Sequence, residues 1–326
     1  MIHTLFLRKQ LKRVLVRIGL IQGRKSRMAS HLPVLDTRWF STLANIRIAM
    51  TLSCHDCDSI PKVEGAGNIT CTGNTYLQTM HNGIRVKAGG YEGGWMMAII
   101  ARLQGHHEPQ EEFLFHQILN HVRRESLMVE LGSNWCYYTN WYLKQVPGST
   151  AVCVEPDLAS LELGRFNTAL NHHQARFIQA FIGLEQKQRP ASDTENDPFI
   201  PQLHMPALSR ELDYKPIEML HIDIQGAETS LLESFSLDEK LSKVRFIAIS
   251  THHEMISGTA TTHQDCLDKL QQLGAVILAE HSIGESYSGD GFILASFDTQ
   301  DAHLILPGFS RAPKALTDLF WEHMNL

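Results

Sequence analysis

Between residues 127 and 295 the chain returns seven times to an apolar run of strand length, and helical patterns separate most of the runs. The runs cover 127–131, 150–154, 176–181, 218–222, 245–250, 275–280 and 291–295. Leu158, Leu161, Phe166 and Leu170 mark one intervening helix. Leu267, Leu270 and Leu273 mark another, with Thr262 and Asp265 as a capping box and Gly274 as its stop. Near-continuous apolar strands alternating with amphipathic helices require a mainly parallel sheet covered on both faces. The last two runs are joined by a loop containing "SGDG" and no helix, which predicts an antiparallel hairpin. Upstream, Pro109, Glu111 and Glu112 open a helix that Arg123 and Arg124 close, an arrangement that suits its dipole. Phe115, Ile118, Leu119 and Val122 form its buried stripe.

The 326 residues, 43% hydrophobic and 20% charged, suffice for one large α/β domain with additions or for two modest domains. The net charge of −6 conceals an asymmetry. Residues 1–28 carry eight Lys or Arg and no acid, leaving 21 basic against 35 acidic residues elsewhere, or −14. An acidic body argues against nucleic acid as the main partner, because neutralising phosphates needs a basic face. In the leader, Leu7, Leu11, Val14, Leu15 and Ile18 recur at helical spacing beside a Lys9, Arg13 and Arg17 stripe. Such a segment suits an anionic membrane surface or a partner, resembles an organelle presequence, or is simply a frayed terminal helix. No apolar run approaches the ~18–20 residues that span a bilayer. Six cysteines without a secretory apolar region fit a reducing compartment, so the expected location is cytoplasmic, with membrane contact through residues 1–28. The expected organisation is this leader, an α+β cap facing the substrate over 29–107, and the α/β domain over 108–326. A polar, Pro-containing stretch over 184–202 reads as a surface loop, or more sharply as a lid.

Ligands of parallel sheets bind beyond the carboxyl ends of the strands, near the point where strand order reverses. The residues found there are Glu130, Gly132, Ser133 and Asn134 after the first run, Glu155 after the second, Asp223 after the fourth, and His252 and His253 after the fifth. Gly132 lets a ligand approach the backbone, and Asn134 tolerates a left-handed conformation. Glu155 is placed to grip two ribose hydroxyls; a strand-terminal carboxylate also serves as a helix cap. A single glycine counts against a dinucleotide, whose pyrophosphate needs a fuller glycine set.

The segments "MVELGSNWCYYTNWYLKQVPGSTAVCVEPDLASLELGRFNTALN" and "IEMLHIDIQGAETSLL" resemble the FkbM family of S-adenosylmethionine-dependent O-methyltransferases, over roughly residues 108–296. The resemblance implies a Rossmann-like sheet of seven strands with the last strand antiparallel. It also implies a cofactor whose methionine part is surrounded by Glu130, Gly132 and Asn134, whose ribose is held by Glu155, and whose adenine lies near Ala180, Phe181 and Ile182. Cys136 stands where the family usually has glycine.

The expected reaction is methyl transfer to a small hydroxyl-bearing acceptor such as a sugar, glycolipid or secondary metabolite. Asp223 would orient the acceptor or ligate a metal, and His252 would act as general base. His81, Glu108, Glu228 and His253 are further substrate-pocket candidates, although Glu228 at a helix start is also favourable by dipole alone. Mg²⁺ held near "HIDIQ" and "STHHE" is a further expectation, and Cys54, Cys57, Cys71 and His81 have the order of a zinc set. Reduced, packed thiols are the competing reading of those cysteines. The rival readings of the whole are a scaffold that keeps the fold without catalysis and a nicotinamide oxidoreductase.

Overall fold

Apolar runs buried on both faces need partners on both edges, and the sheet supplies them. The computed structural model describes residues 40–191, 198–236, 244–306 and 308–324, so the basic leader lies outside the described residues. The chain divides into two units: Met1–Glu112 with Gly284–Gly289 and Ser310–Leu326, and Phe113–Ile283 with Asp290–Phe309.

In the first unit, β1 (Ile69–Thr72), β2 (Thr75–Thr79) and β3 (Arg85–Lys87) form an antiparallel sheet in that order. Thr72 pairs with Thr75 across a two-residue Gly73-Asn74 turn, the composition that such hairpins favour. The helix Thr42–Leu52 starts at Ser41, whose hydroxyl accepts from Ala44 N at 3.1 Å. Its Met50 joins Cys54, Tyr287, Ala312 and Phe320 in a small apolar core. Phe320 lies on the helix Lys314–Met324, so this helix belongs to the first unit.

The second unit contains the seven expected strands. They are β4 (Leu127–Leu131), β5 (Thr150–Val154), β6 (Arg176–Ile178), β10 (Ile217–Ile222), β11 (Val244–Thr251), β12 (Val276–His281) and β13 (Gly291–Ser296), in the order β12-β13-β11-β10-β4-β5-β6. Pairings among β11, β10, β4, β5 and β6 are parallel, whereas β13 is antiparallel to both its neighbours, β11 and β12. This is the mainly parallel α/β sheet with one reversed strand that the run pattern predicts, in the doubly wound, Rossmann-like form that the resemblance implies.

The 176–181 run, however, splits. Its end forms β7 (Phe181–Ile182), which joins β8 (Lys187–Pro190) and β9 (Phe199–Leu203) in a separate three-stranded sheet. The stretch expected as a loop is therefore partly a hairpin, although residues 192–197 lie outside the described residues. Three of the four β8 residues are exposed, so no apolar alternation announced the strand.

Every residue of β4 and β10 is buried. On one face Val129, Leu131, Leu220 and Ile222 pack with Leu231, Leu232 and Phe235 of the helix Glu228–Phe235. Glu130 and His221, which pair across β4 and β10, point to the other face, where Tyr138 stacks on His221 at 4.4 Å between centroids. After β4 the chain winds outward through β5 to β6; β10 and β11 extend the sheet on the opposite side. The reversal therefore falls between β4 and β10, and their carboxyl ends flank the crevice where such sheets bind ligands.

Candidate active site

The loop leaving β4 is tied to both neighbouring strands. Gly132 N donates to Val154 O at 2.8 Å, and Asp223 N donates to Leu131 O at 2.9 Å. Gly132 adopts φ +76°, and a Cβ there would lie 1.8 Å from the Asp223 carbonyl oxygen. The sequence reading attributed this glycine to the approach of a ligand. The structure gives a nearer cause, the backbone at the end of β10.

Asn134 has φ +39° and Cys136 φ +58°, so the turn uses left-handed residues where a second and third glycine are familiar. Cys136 then begins the helix Tyr137–Gln145. Room for its side chain comes from Gly164 on the helix Leu158–Leu170, where a Cβ would meet Cys136 Sγ at 2.5 Å and Asn134 O at 2.8 Å.

The two strand-end carboxylates do different things. Glu130 accepts from Thr139 N at 3.1 Å and from the Thr139 hydroxyl, so it anchors the first turn of the helix Tyr137–Gln145. Burial pushes its pKa up to about 7, against the pull of His221 and the Thr139 bonds. Glu155 instead bridges two loops. Its Oε2 accepts from Asn134 N at 3.1 Å and its Oε1 from Asp157 N at 2.9 Å. Burial raises its pKa to about 7 as well, partly offset by those two backbone bonds. Each oxygen takes one backbone donor and has a second lone pair available, the arrangement needed to receive a vicinal diol. Beyond β6, Ala180 is fully buried and Ile182 nearly so, while the Arg189 guanidinium lies over the Phe181 ring at 4.3 Å.

After β10 and β11 the side chains converge. His252 Nδ1 lies 2.8 Å from Glu228 Oε1, and His252 Nε2 lies 3.1 Å from Asp223 Oδ1 and 3.9 Å from Asp290 Oδ1. The Gln225 amide stands 2.7 Å from both Asp223 Oδ1 and His252 Nε2. Glu228 is fully buried at the first position of its helix, and its Oε1 also accepts from Gly226 N at 3.0 Å. Burial works against charge on His252, but the charges of Glu228 and Asp290, with hydrogen bonds to Asp223 and Glu228, hold its pKa well above the usual imidazole value. Its two ring nitrogens thus face carboxylates, Glu228 at one and Asp223 at the other. Asp223, 35% exposed at its side chain, faces outward together with the exposed Gln225.

His253 caps the short helix Glu254–Ser257, its Nδ1 accepting from Met255 N at 3.3 Å. His81 and Glu108 lie in the first unit, within a polar cluster. His81 is 2% exposed and stacked on His106, and Glu108 is paired with His107 Nε2 at 3.2 Å. The His81 ring is thus packed within this cluster.

Among the described residues, the groups compact enough to share a metal ion are Cys57 with His106 and Glu112, and Glu130 with Cys136 and Cys153. Neither contains Asp223 or His252, so the Mg²⁺ expected at those residues has no ligand cluster there. Cys71 is exposed, its thiol donating to Gly73 O at 3.3 Å, and it stands outside both groups, which removes the zinc set read from sequence.

Gln225 and Asp290 were not expected. Asp290 lies at the start of the antiparallel β13, and a reversed strand brings its amino end to the edge where the parallel strands end. A rule that inspects only carboxyl ends passes over it. Gln225 adopts a left-handed φ of +55°, next to Gly226 at +98°.

No known family profile matches the chain, and no curated protein does. Among solved structures, the chain is similar to an O-methyltransferase from Bacillus cereus in complex with S-adenosylhomocysteine, at 16% identity over 57% of this chain and 80% of that one, TM-score 0.38. A putative S-adenosylmethionine-dependent methyltransferase from Streptococcus mutans is 8% identical over 70% of this chain and 56% of its own, TM-score 0.42. TrmK of M. capricolum in complex with S-adenosylhomocysteine is 13% identical over 57% and 68%, TM-score 0.37. These likenesses are too distant to assign a residue or a substrate. Among the described residues, no helix is long and apolar enough to cross a membrane.

Proposed function

We propose that this chain is an S-adenosylmethionine-dependent O-methyltransferase acting on a small hydroxyl-bearing acceptor such as a sugar, glycolipid or secondary metabolite. The observation that carries the reading is Glu155. Its carboxylate fixes the loop after β4 to the loop after β5 through Asn134 N and Asp157 N, and keeps one acceptor position on each oxygen for a ribose. The resemblance of the strand-end motifs to the FkbM family supports the same reading.

When bound, S-adenosylmethionine supplies an electrophilic methyl group on sulfur. The chain's own part is to hold, align and deprotonate. Glu155 holds the ribose; Gly132 and Asn134 shape the adjoining loop; Ala180, Phe181 and Ile182 form the wall beyond β6. Asp223, at the neighbouring strand end, takes the acceptor's hydroxyl proton as its oxygen attacks. His252, held by Glu228 at 2.8 Å and standing 3.1 Å from Asp223, orients that carboxylate. General-base assistance of this type contributes a factor of about 10²–10⁴, and alignment in a water-poor crevice supplies the remainder.

The test combines binding and turnover. Calorimetry should show heat for S-adenosylhomocysteine and none for NAD, and labelled methyl groups should pass to a hydroxyl in a panel of saccharides and small metabolites. Heat for NAD alone overturns the reading. Binding of S-adenosylhomocysteine with no transfer to any acceptor moves the chain to the scaffold reading.

A further inference from the structure

In the first unit, the helices Thr42–Leu52 and Lys314–Met324 share an apolar core through Met50 and Phe320, and an apolar groove runs between them. Ala49 and Ser53 line one side, Leu316 and Leu319 the other, with Tyr287 and Pro313, around a volume of about 630 Å³. Leu319 is 42% exposed, and Ala49 and Ser53 are exposed opposite it. A continuous apolar strip left to water marks a surface that takes a partner.

Reach, shape and charge all fit one occupant, residues 7–18 of the same chain. One wall of the groove is the helix that begins at Thr42, and residues 19–39 join the leader directly to it. That segment spans up to about 70 Å when extended, whereas the wall is only about 17 Å long. In the leader, Leu7, Leu11, Val14, Leu15 and Ile18 fall at i, i+4, i+7, i+8 and i+11, the anchor spacing of a helix laid in an apolar groove. As a helix, residues 7–18 would extend about 18 Å, the length of the wall.

Charge fixes the orientation. At about 100° per residue, Glu322 and Asp318 stand about 60° and 100° round the helix from Leu319, and Lys314 about 140°. The groove's rim on this side is therefore acidic. Both acids are exposed, and neither is ion-paired among the described residues. In the leader, Arg8 and Arg17 stand about 80° and 100° from the centre of the apolar stripe, one on each side, and residues 1–28 contain no acid.

We infer that residues 7–18 dock as a helix in the groove between Thr42–Leu52 and Lys314–Met324, with the leucines inward and Arg8 or Arg17 against Asp318 and Glu322. Tethering gives the segment an effective concentration on the order of millimolar at its own groove, which favours this site over a second copy or a membrane. The inference is independent of the methyl-transfer reading, because all of these residues belong to the first unit.

The experiment uses the full chain carrying Arg8→Lys and Arg17→Lys, which keep the charge and supply reactive amines. An equal mixture of unlabelled and nitrogen-15-labelled protein is treated with a zero-length carbodiimide at low concentration. Peptide mass spectrometry should find amide links from position 8 or 17 to Asp318 or Glu322, within one isotope. Adding Leu11→Ser with Leu15→Ser, or Leu319→Ser, should lower their yield about tenfold or more, with the Lys187–Glu185 pair, 2.9 Å apart, as the unaffected control. No links, links between isotopes, or a yield unchanged by the leader substitutions overturns the inference. Absent links together with flotation of the chain on phosphatidylserine vesicles assigns the leader to an anionic surface instead. The leader substitutions leave both groove helices intact, so the inference stays falsifiable if Leu319→Ser fails to fold.

Discussion

Replacing Glu155 by Gln separates a cofactor grip from a structural cap. The carboxylate accepts from Asn134 N on one oxygen and from Asp157 N on the other. An amide has one acceptor oxygen, so its NH₂ group must face one of these backbone donors. The variant loses one charge-assisted bond, and the bidentate contact to a ribose becomes a single one, which together cost about 2–4 kcal/mol of binding, or roughly 30- to 700-fold in Kd. The pH dependence is the sharper readout. With a pKa raised to about 7, Glu155 is half protonated near neutrality. Only the ionised form accepts from both hydroxyls, so wild-type affinity for S-adenosylhomocysteine should weaken roughly tenfold between pH 8 and pH 6.

The free protein has the opposite sign. A carboxyl whose folded pKa lies above its unfolded value contributes stability that is fully present below the unfolded value of 4.5 and lost as pH rises through about 7. Calorimetric titration of both proteins at pH 6, 7 and 8 is the assay. The Gln variant should bind weakly with no slope through this window. A variant that binds within threefold of wild type, or keeps the wild-type slope, refutes the reasoning.

Asp223→Asn should lower methyl transfer by about 10²–10⁴ while the Kd for S-adenosylhomocysteine stays within about threefold; full turnover would remove Asp223 as the base. His252→Ala leaves Glu228 buried without its partner and should destabilise the fold by about 3–5 kcal/mol, with a smaller loss when Glu228→Gln is added; additive losses in denaturant unfolding would show that the two do not interact. Gly132→Ala forces a Cβ toward the Asp223 carbonyl at a left-handed φ and should cost more than about 3 kcal/mol; near-wild-type thermal stability would contradict the geometry. Gly164→Ala should also destabilise, and Cys136→Gly should recover part of the loss by removing the 2.5 Å contact with Sγ, as thermal unfolding of the single and double variants would show.

The large sheet was legible because its strands are buried on both faces, which leaves an unbroken apolar run for each. β4 and β5 fall on 127–131 and 150–154, and the reversed last strand followed from a connection without a helix. β8 was not legible, since a mostly exposed strand has the composition of a loop. Glu130 and Glu155 look alike as strand-end acids, yet one faces Thr139 on the following helix and the other spans two loops. That difference depends on which side of the pleat each occupies and on where the next helix begins. The surroundings of His252 were not legible for a related reason. Whether an imidazole is a base or a fixed cation depends on carboxylates from other strands, and Asp290 reaches His252 only through the reversed β13.

The interlock of Gly132 with the end of β10 constrains any redesign of this molecule. The loop after β10 and the loop after β4 touch backbone to backbone, so displacing one levers the other. The 223–226 segment therefore cannot be exchanged by side chains alone; its main-chain path must arrive with it, or the turn after β4 goes out of true.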